Sequence, residues 1–366
     1  MRKAVWALLV CRTAVLGGHI QACPEGHVAR VWYNSCRHRL CPQCAWVQIE
    51  RWLVTQKARL LAWDHDHVIF TIPQDLHGLW LANVGVMTHL LCASVRDTWL
   101  ELLGDAHYLG AKPGILATLH TWSQTLILPP HIHALVTGGG LTSTGQWVPV
   151  RHGFLLPSRV VMALFRGKRL AAIRRALHQG QLPLPAGMRA QPSDNLLHKL
   201  GRQTWNVHLR ERYAHGEGVL ISLARSGRGG PLSNQRLVSC AQGEVSFRYR
   251  VNGEGPARAR RNVLTVSIEE FIRRYLLHVP PPGSRVVRSY GLYAPTVRGA
   301  LATCREQRGQ GPVEAPMPLD WHAYCQGRGD AHPERCPVCG RLLMRRGVIL
   351  RGERPPPAEP PAQVAA

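Results

Sequence analysis

The chain has 366 residues, 45% of them hydrophobic, enough for two or three domains with apolar cores. Its 45 Lys and Arg against 22 Asp and Glu leave a formal net charge of +23 along the length and a pI near 10.5. Cationic side chains that neutralise phosphates release condensed counterions, so this charge points to nucleic acid; a membrane partner is disfavoured by the lack of a basic amphipathic helix or an apolar run of ~20 residues.

The opening MRKAVWALLV has a basic start and an apolar stretch but no clean small-residue cleavage site, and reads as a helix of the first domain. The eleven cysteines are clustered and odd in number, which favours metal binding over a disulfide framework. Cys23, Cys36, Cys41 and Cys44, with His27 and His38 among them, lie in QACPEGHVARVWYNSCRHRLCPQC. Cys41-Pro-Gln-Cys44 is half of a zinc knuckle, because two intervening residues let both thiolates reach one tetrahedral ion. Cys23 supplies a third ligand, and His27 or Cys36 the fourth.

Residues 49–61 have helical apolar spacing with a basic face. Residues 68–72 form a β-branched strand stopped by Pro73, and 76–103 carry Leu, Val, Met and Trp at helical spacing to cover the sheet. Residues 115–128 and 131–137 read as a hairpin turned at Pro129-Pro130 and ending at Gly138-Gly139-Gly140. A basic helix is expected over 158–179, with Arg166, Lys168, Arg169, Arg174 and Arg175 on a solvated face. Strands at 245–250 and 263–266 precede a helix at 268–277. Cys336-Pro-Val-Cys339 is a second, weaker zinc candidate with Cys325 and His332 upstream, whereas Cys11, Cys92, Cys240 and Cys304 read as buried small residues or inert thiols. The Pro/Ala-rich end is expected to be disordered. The expected divisions are a zinc-binding module at 1–60, a main domain at 61–280, a basic C-terminal region with a possible second Cys cluster at 281–354 and a tail at 355–366.

His131-Ile132-His133, framed by apolar residues, is the sharpest chemical feature. Alternate side chains of a strand share a face, so both imidazoles can reach one ion while Ile132 enters a core. Folding the chain back at the diproline brings Gln124 beside the pair as the third ligand, with His120 as its competitor. Two imidazoles and an amide oxygen suit Mg²⁺ or Mn²⁺ with positions left for water and a phosphate oxygen.

Taken in order, YNSCRHRLCPQC, HVIFTIP, LHTWSQTL, PPHIHALVTGGGL, WNVHLRERYAHGEG, GGPLSN and FIRRYLLHVPPPGSRVVRSYGLY resemble the rolling-circle, HUH-type, two-tyrosine insertion-sequence transposases that carry an N-terminal zinc-binding domain. The resemblance spans residues 5–345. It implies an α+β fold, with an HUH endonuclease-like antiparallel sheet and flanking helices preceded by a small zinc-binding module. It also implies a cytoplasmic, nucleoid-associated enzyme that nicks and rejoins single-stranded element ends through a 5′-phosphotyrosine link.

The sequence departs from that family at the nucleophile. Two tyrosines four residues apart are expected before Gly-Gly-Pro, but this chain reads Ser222-Leu223-Ala224-Arg225-Ser226. A serine hydroxyl is shorter than a phenol (pKa ~10) and a far weaker acid. Gly227 should weaken the presenting helix by about 1 kcal/mol relative to Ala. Pro129 stands where relatives often carry another histidine, Glu25 where some carry a cysteine, and the start lies close to the zinc cluster, all in keeping with a truncated, degenerate copy. Ser222 and Ser226 thus occupy the nucleophile positions, and Arg225 is a candidate for the scissile phosphate. Three readings follow: a transposase with impaired cleavage, a cleavage-dead DNA-binding competitor of active copies, and a transferase using serine or Tyr213; a zinc-dependent ribosomal or RNA-binding protein would explain the basicity and cysteines but not the histidine pair or the ordered motifs.

Overall fold

The computed structural model describes residues 1–150, 156–185, 187, 190–213, 216–250, 261–317 and 332–353. The chain divides into two compact units, one made of Met1–Arg51 with Pro316–Ala366 and the other of Trp52–Ala315. Of the C-terminal region expected at 281–354, residues 281–315 therefore belong to the larger unit and those from Pro316 join the N-terminal residues. The expected tail and Cys325 lie outside the described residues.

In chain order, α1 (Arg2–Leu9), β1 (Gly18–Ala22), β2 (Ala29–Tyr33) and α2 (Ala45–Arg59) come first. There follow β3 (His65–Thr71), α3 (His77–Ala82), α4 (Val84–Gly104), β4 (Lys112–His120), β5 (His131–Leu141), β6 (Trp147–Pro149), α5 (Ser158–His178) and α6 (Ala190–Arg202). Then come β7 (Val207–Tyr213), α7 (Glu217–Arg228), β8 (Leu237–Ala241), β9 (Glu244–Arg250), β10 (Arg261–Ser267), α8 (Ile268–Leu277), β11 (Val287–Gly291), α9 (Arg298–Gln307) and β12 (Met344–Ile349).

In the smaller unit, β12, β1 and β2 form an antiparallel sheet with Gly18 opposite Ile349 on one side and Tyr33 on the other. Gly17 has φ +67° and a Cβ there would meet the Ile349 carbonyl oxygen at 2.6 Å, so the return of the chain end requires glycine at this position.

The larger unit is built on an antiparallel sheet in the order β11-β4-β5-β3-β7, with β6 pairing the end of β5. Val68, Phe70, Ala117, Leu119, Ile132, Ala134 and Val136 form its apolar face, buried with α4 and α5 residues such as Leu91, Val95, Trp99, Phe165 and Ile173. Period-two alternation thereby sends Ile132 into the core and its flanking histidines to the other face. The expected 76–103 helix is two helices, α3 and α4, broken at Asn83 (φ −137°), whose Nδ2 donates to the carbonyls of Leu79 and Pro183. A second, three-stranded sheet, β10-β9-β8, leads into α8, where Ser267 Oγ accepts from the Glu270 amide as an N-cap.

Two expectations change. Arg169 is fully buried rather than solvated, with its Nη2 directed at Met87 Sδ and its Nε and Nη1 without partners among the described residues. Strand β4 stops at His120, eight residues before the expected 128, because the connection folds into a turn of its own. Ser123 Oγ accepts from the amides of Thr125 and Ile127, and Leu126 takes a left-handed conformation (φ 62°) that buries its side chain with Leu232 and Phe247. Three successive carbonyls of this loop, at Gln124, Thr125 and Leu126, accept from Arg236, Arg274 and His278.

Candidate functional site

His120 on β4 stands directly opposite His131 on β5, and Thr118 opposite His133. His120 Nδ1 lies 3.1 Å from His131 Nε2, which lies 3.0 Å from His133 Nε2. All three ligand nitrogens lie within 4.8 Å of one another. His131 Nδ1 donates to the Pro129 carbonyl at 2.5 Å, which leaves the Nε2 lone pair facing the other two rings. His133 Nδ1 is 2.9 Å from His67 Nε2 on β3; donation to that atom frees the His133 Nε2 lone pair in the same way. Burial, and after it the neighbouring His131, His133 and His278, holds the His120 imidazole well below its ordinary pKa, and burial lowers His131 too. Three ring nitrogens converging at these separations make a metal-ligand set, since nitrogens bound to one ion at about 2.1 Å sit about 3 Å apart when at right angles.

Gln124 is not on the neighbouring strand. It lies in the turn after β4, exposed, and His120 takes the place expected of it beside His131. The hairpin argument assumed that β4 continued to the diproline; the buried Leu126 ends it earlier.

Helix α7 packs on β4, β5 and β7, and its Val219, Leu220, Leu223 and Ala224 are buried. Gly227 is a packing residue rather than a flaw in this helix: a Cβ there would meet Val287 Cγ2 at 2.7 Å and Thr118 Cγ2 at 2.9 Å. Thr118 is in register with His133, so α7 crosses the histidine-bearing face of the sheet. Ser222 is exposed on this helix and Ser226 is one turn further along it. The side chains of Arg225, Ser226 and Tyr213 lie outside the described set.

Beside His120 opens a cavity of about 490 Å³ lined by Trp122, Gln124, Arg236, Arg248, Tyr249 and Arg250 among others. The Trp122 ring packs edge-on against His120 at 4.3 Å between centroids. Three guanidinium groups and two aromatic rings thus share one cleft with a histidine of the cluster.

The smaller unit divides its cysteines differently from the sequence expectation. Cys36, Cys41 and Cys44 gather with Cys11, not Cys23: Cys11 Sγ is 3.3 Å from Cys44 and 3.5 Å from Cys41, and Cys36 Sγ is 3.7 Å from Cys44. The Cys41-Cys44 turn is closed by the Cys44 and Ala45 amides donating to the Cys41 carbonyl, and runs straight into α2. Cys11 was expected to be inert; no local spacing ties it to the Cys-x-x-Cys turn 30 residues later. Cys23 and His27 lie instead with Cys336 and Cys339. His332 accepts from the Glu334 amide at Nδ1 and stands outside this group.

The family model described as "Putative transposase" matches residues 114–300, which include the histidine cluster, α7 and the cleft. The model described as "Transposase zinc-binding domain" matches residues 1–72. The chain is 35% identical over 365 residues to "Putative transposase y4qJ" of Sinorhizobium fredii, covering 97% of this chain and 91% of that relative. It is 27% identical over 352 residues to "Transposase for insertion sequence element IS801" of Pseudomonas savastanoi pv. phaseolicola, covering 95% of this chain and 83% of the relative. No solved structure matches. The matches span both units, and the chain belongs to the transposase family of IS91-like insertion sequences, with an N-terminal zinc-binding domain.

Proposed function

We propose that the chain binds single-stranded ends of its insertion sequence in the cleft beside His120 and presents a scissile phosphate to a divalent ion held by His120, His131 and His133, with strand cleavage impaired by serine at 222 and 226. The observation that carries this is the convergence of three imidazoles next to a cleft of arginine and aromatic residues. Guanidinium groups track phosphates and aromatic faces stack unpaired bases, a combination suited to single strands. A donor set of imidazoles alone favours Mn²⁺ over Mg²⁺. Such an ion supplies Lewis-acid polarisation of a phosphate oxygen when bound.

Strand cleavage needs an oxygen nucleophile that attacks phosphorus while the 3′ oxygen departs, leaving a 5′-phosphoester on the protein. Serine at 222 and 226 offers an oxygen that neither ionises near neutral pH nor extends as far as a phenol. In the Cys11, Cys36, Cys41 and Cys44 group, four thiolates hold the zinc of the N-terminal domain, which stabilises the DNA-recognition module. A second reading, a cleavage-dead binder that competes with active copies for element ends, is favoured by the loss of both phenols.

The test is cleavage of labelled single-stranded DNA from the element's ends with Mn²⁺ or Mg²⁺, comparing the natural chain with its Ser222→Tyr/Ser226→Tyr double variant. The natural chain is expected to bind with little or no cutting, and the variant to cut and become covalently attached. Full cutting by the natural chain that survives His131→Ala would overturn both the metal assignment and the role given to the serines.

A further inference from the structure

We infer that the smaller unit holds a second zinc ion, bound by Cys23, His27, Cys336 and Cys339, which clasps the C-terminal segment of the chain to the N-terminal module. Cys23 Sγ lies 3.5 Å from His27 Nδ1 and 3.5 Å from Cys339 Sγ, and the four ligand atoms all fall within 4.8 Å of one another. Three sulfurs and one imidazole are a complete donor set for tetrahedral Zn²⁺.

Both halves are shaped as metal knuckles. In the first, the Gly26 amide donates to the Cys23 carbonyl and the Cys23 amide donates to the Val28 carbonyl. In the second, the Gly340 amide donates to the Cys336 carbonyl and the Cys336 amide donates to the Arg341 carbonyl. Each turn bends through a glycine with positive φ, Gly26 at 76° and Gly340 at 72°. An ion pair of 2.7 Å between Glu25 and Arg341 joins the two turns at the surface. The Cys3His geometry therefore comes from two preformed turns 316 residues apart along the chain at Cys23 and Cys339, brought together by the pairing of β12 with β1.

Apolar burial around this junction is slight. The cluster there consists of Cys23, Cys336 and Leu343 with Val28 against it. Small modules with so little core commonly rely on a bound metal for their folding free energy. The Cys11, Cys36, Cys41 and Cys44 group is separate, so the unit carries two zinc ions of different ligand class.

The test uses the full natural chain, purified with zinc, and follows alkylation of each cysteine by iodoacetamide with mass spectrometry, before and after a chelator is added. Cys339 and Cys240 are both exposed, and Cys240 belongs to neither group. The zinc-loaded chain is expected to protect Cys339 together with Cys23 and Cys336 while Cys240 reacts, and chelation is expected to expose all three. Cys339 reacting as fast as Cys240 in the zinc-loaded chain overturns the site, as does protection that survives both chelator and denaturant until a reductant is added, which would mean a disulfide. A Cys336→Ser/Cys339→Ser variant is expected to lose one zinc equivalent; an unchanged zinc content overturns the assignment.

Discussion

Across the β4–β5 ladder His120 faces His131, with Nδ1 and Nε2 3.1 Å apart. On the proposed reading a cation would lie between these nitrogens, with His133 as its third ligand. His120→Ala is therefore expected to weaken Mn²⁺ binding by more than the about 10–100-fold that loss of an outer-shell partner costs, whereas His67→Ala should fall within that range. Gln124→Ala should leave binding nearly unchanged. Electron paramagnetic resonance of free Mn²⁺ during titration checks all three, and a large loss with Gln124→Ala would restore the amide as ligand.

Gly227→Ala separates helix propensity from packing. Alanine is the better helix former by about 1 kcal/mol, but its methyl would stand 2.7 Å from Val287 Cγ2. Overpacking at such a site costs about 1–3 kcal/mol, so net destabilisation is expected in urea unfolding. A stabilised variant would mean that α7 does not lie on Thr118.

Arg169 is buried, with two guanidinium nitrogens unpaired among the described residues, and burial pushes its pKa down to about 9. Arg169→Met is expected to stabilise the chain by about 1–3 kcal/mol at neutral pH. Because the folded value lies below the unfolded one, the unfolded chain binds more protons above pH 9, and the natural chain gains stability as pH rises through that range. The advantage of the variant should shrink above pH 9, as read from unfolding midpoints at several pH values; a constant gap would show that burial of charge is not the cause.

In the cleft, Tyr249→Ala and Trp122→Ala are each expected to weaken binding of a short single-stranded oligonucleotide by about 1–3 kcal/mol, as loss of one stacked base does. Arg250→Ala should instead reduce the dependence of log affinity on log salt by about 0.7. Fluorescence anisotropy across a salt series distinguishes the two effects, and variants that all bind like the natural chain would place the DNA elsewhere.

Much of the frame was legible along the chain. The β-branched run before Pro73, the helix from Ser158, the strands around 245 and 263 and the capped helix from Ile268 all rest on local pattern, and local pattern is what they obey. So does the sharing of a face by His131 and His133, because side chains alternate along any strand whatever its neighbours are. The family, too, was readable from the order of its motifs.

Long-range choices were not. Whether His120 or Gln124 meets His131 depends on where β4 stops, and that is decided by Leu126 finding a pocket made by Leu232 and Phe247, more than a hundred residues away. Burial of Arg169 depends on how α5 meets α4 and its Met87. Cysteines carry no mark of partnership: Cys41 and Cys44 take Cys11 from 30 residues upstream, while Cys23 takes a pair beyond residue 330 because β12 returns to β1. The sequence by itself determined the transposase family, the basic character and the histidine pair, each a property of residue type and short spacing. Only the tertiary structure decided which residues complete the sites, because strand endings and the pairing of distant segments are set by packing across the chain.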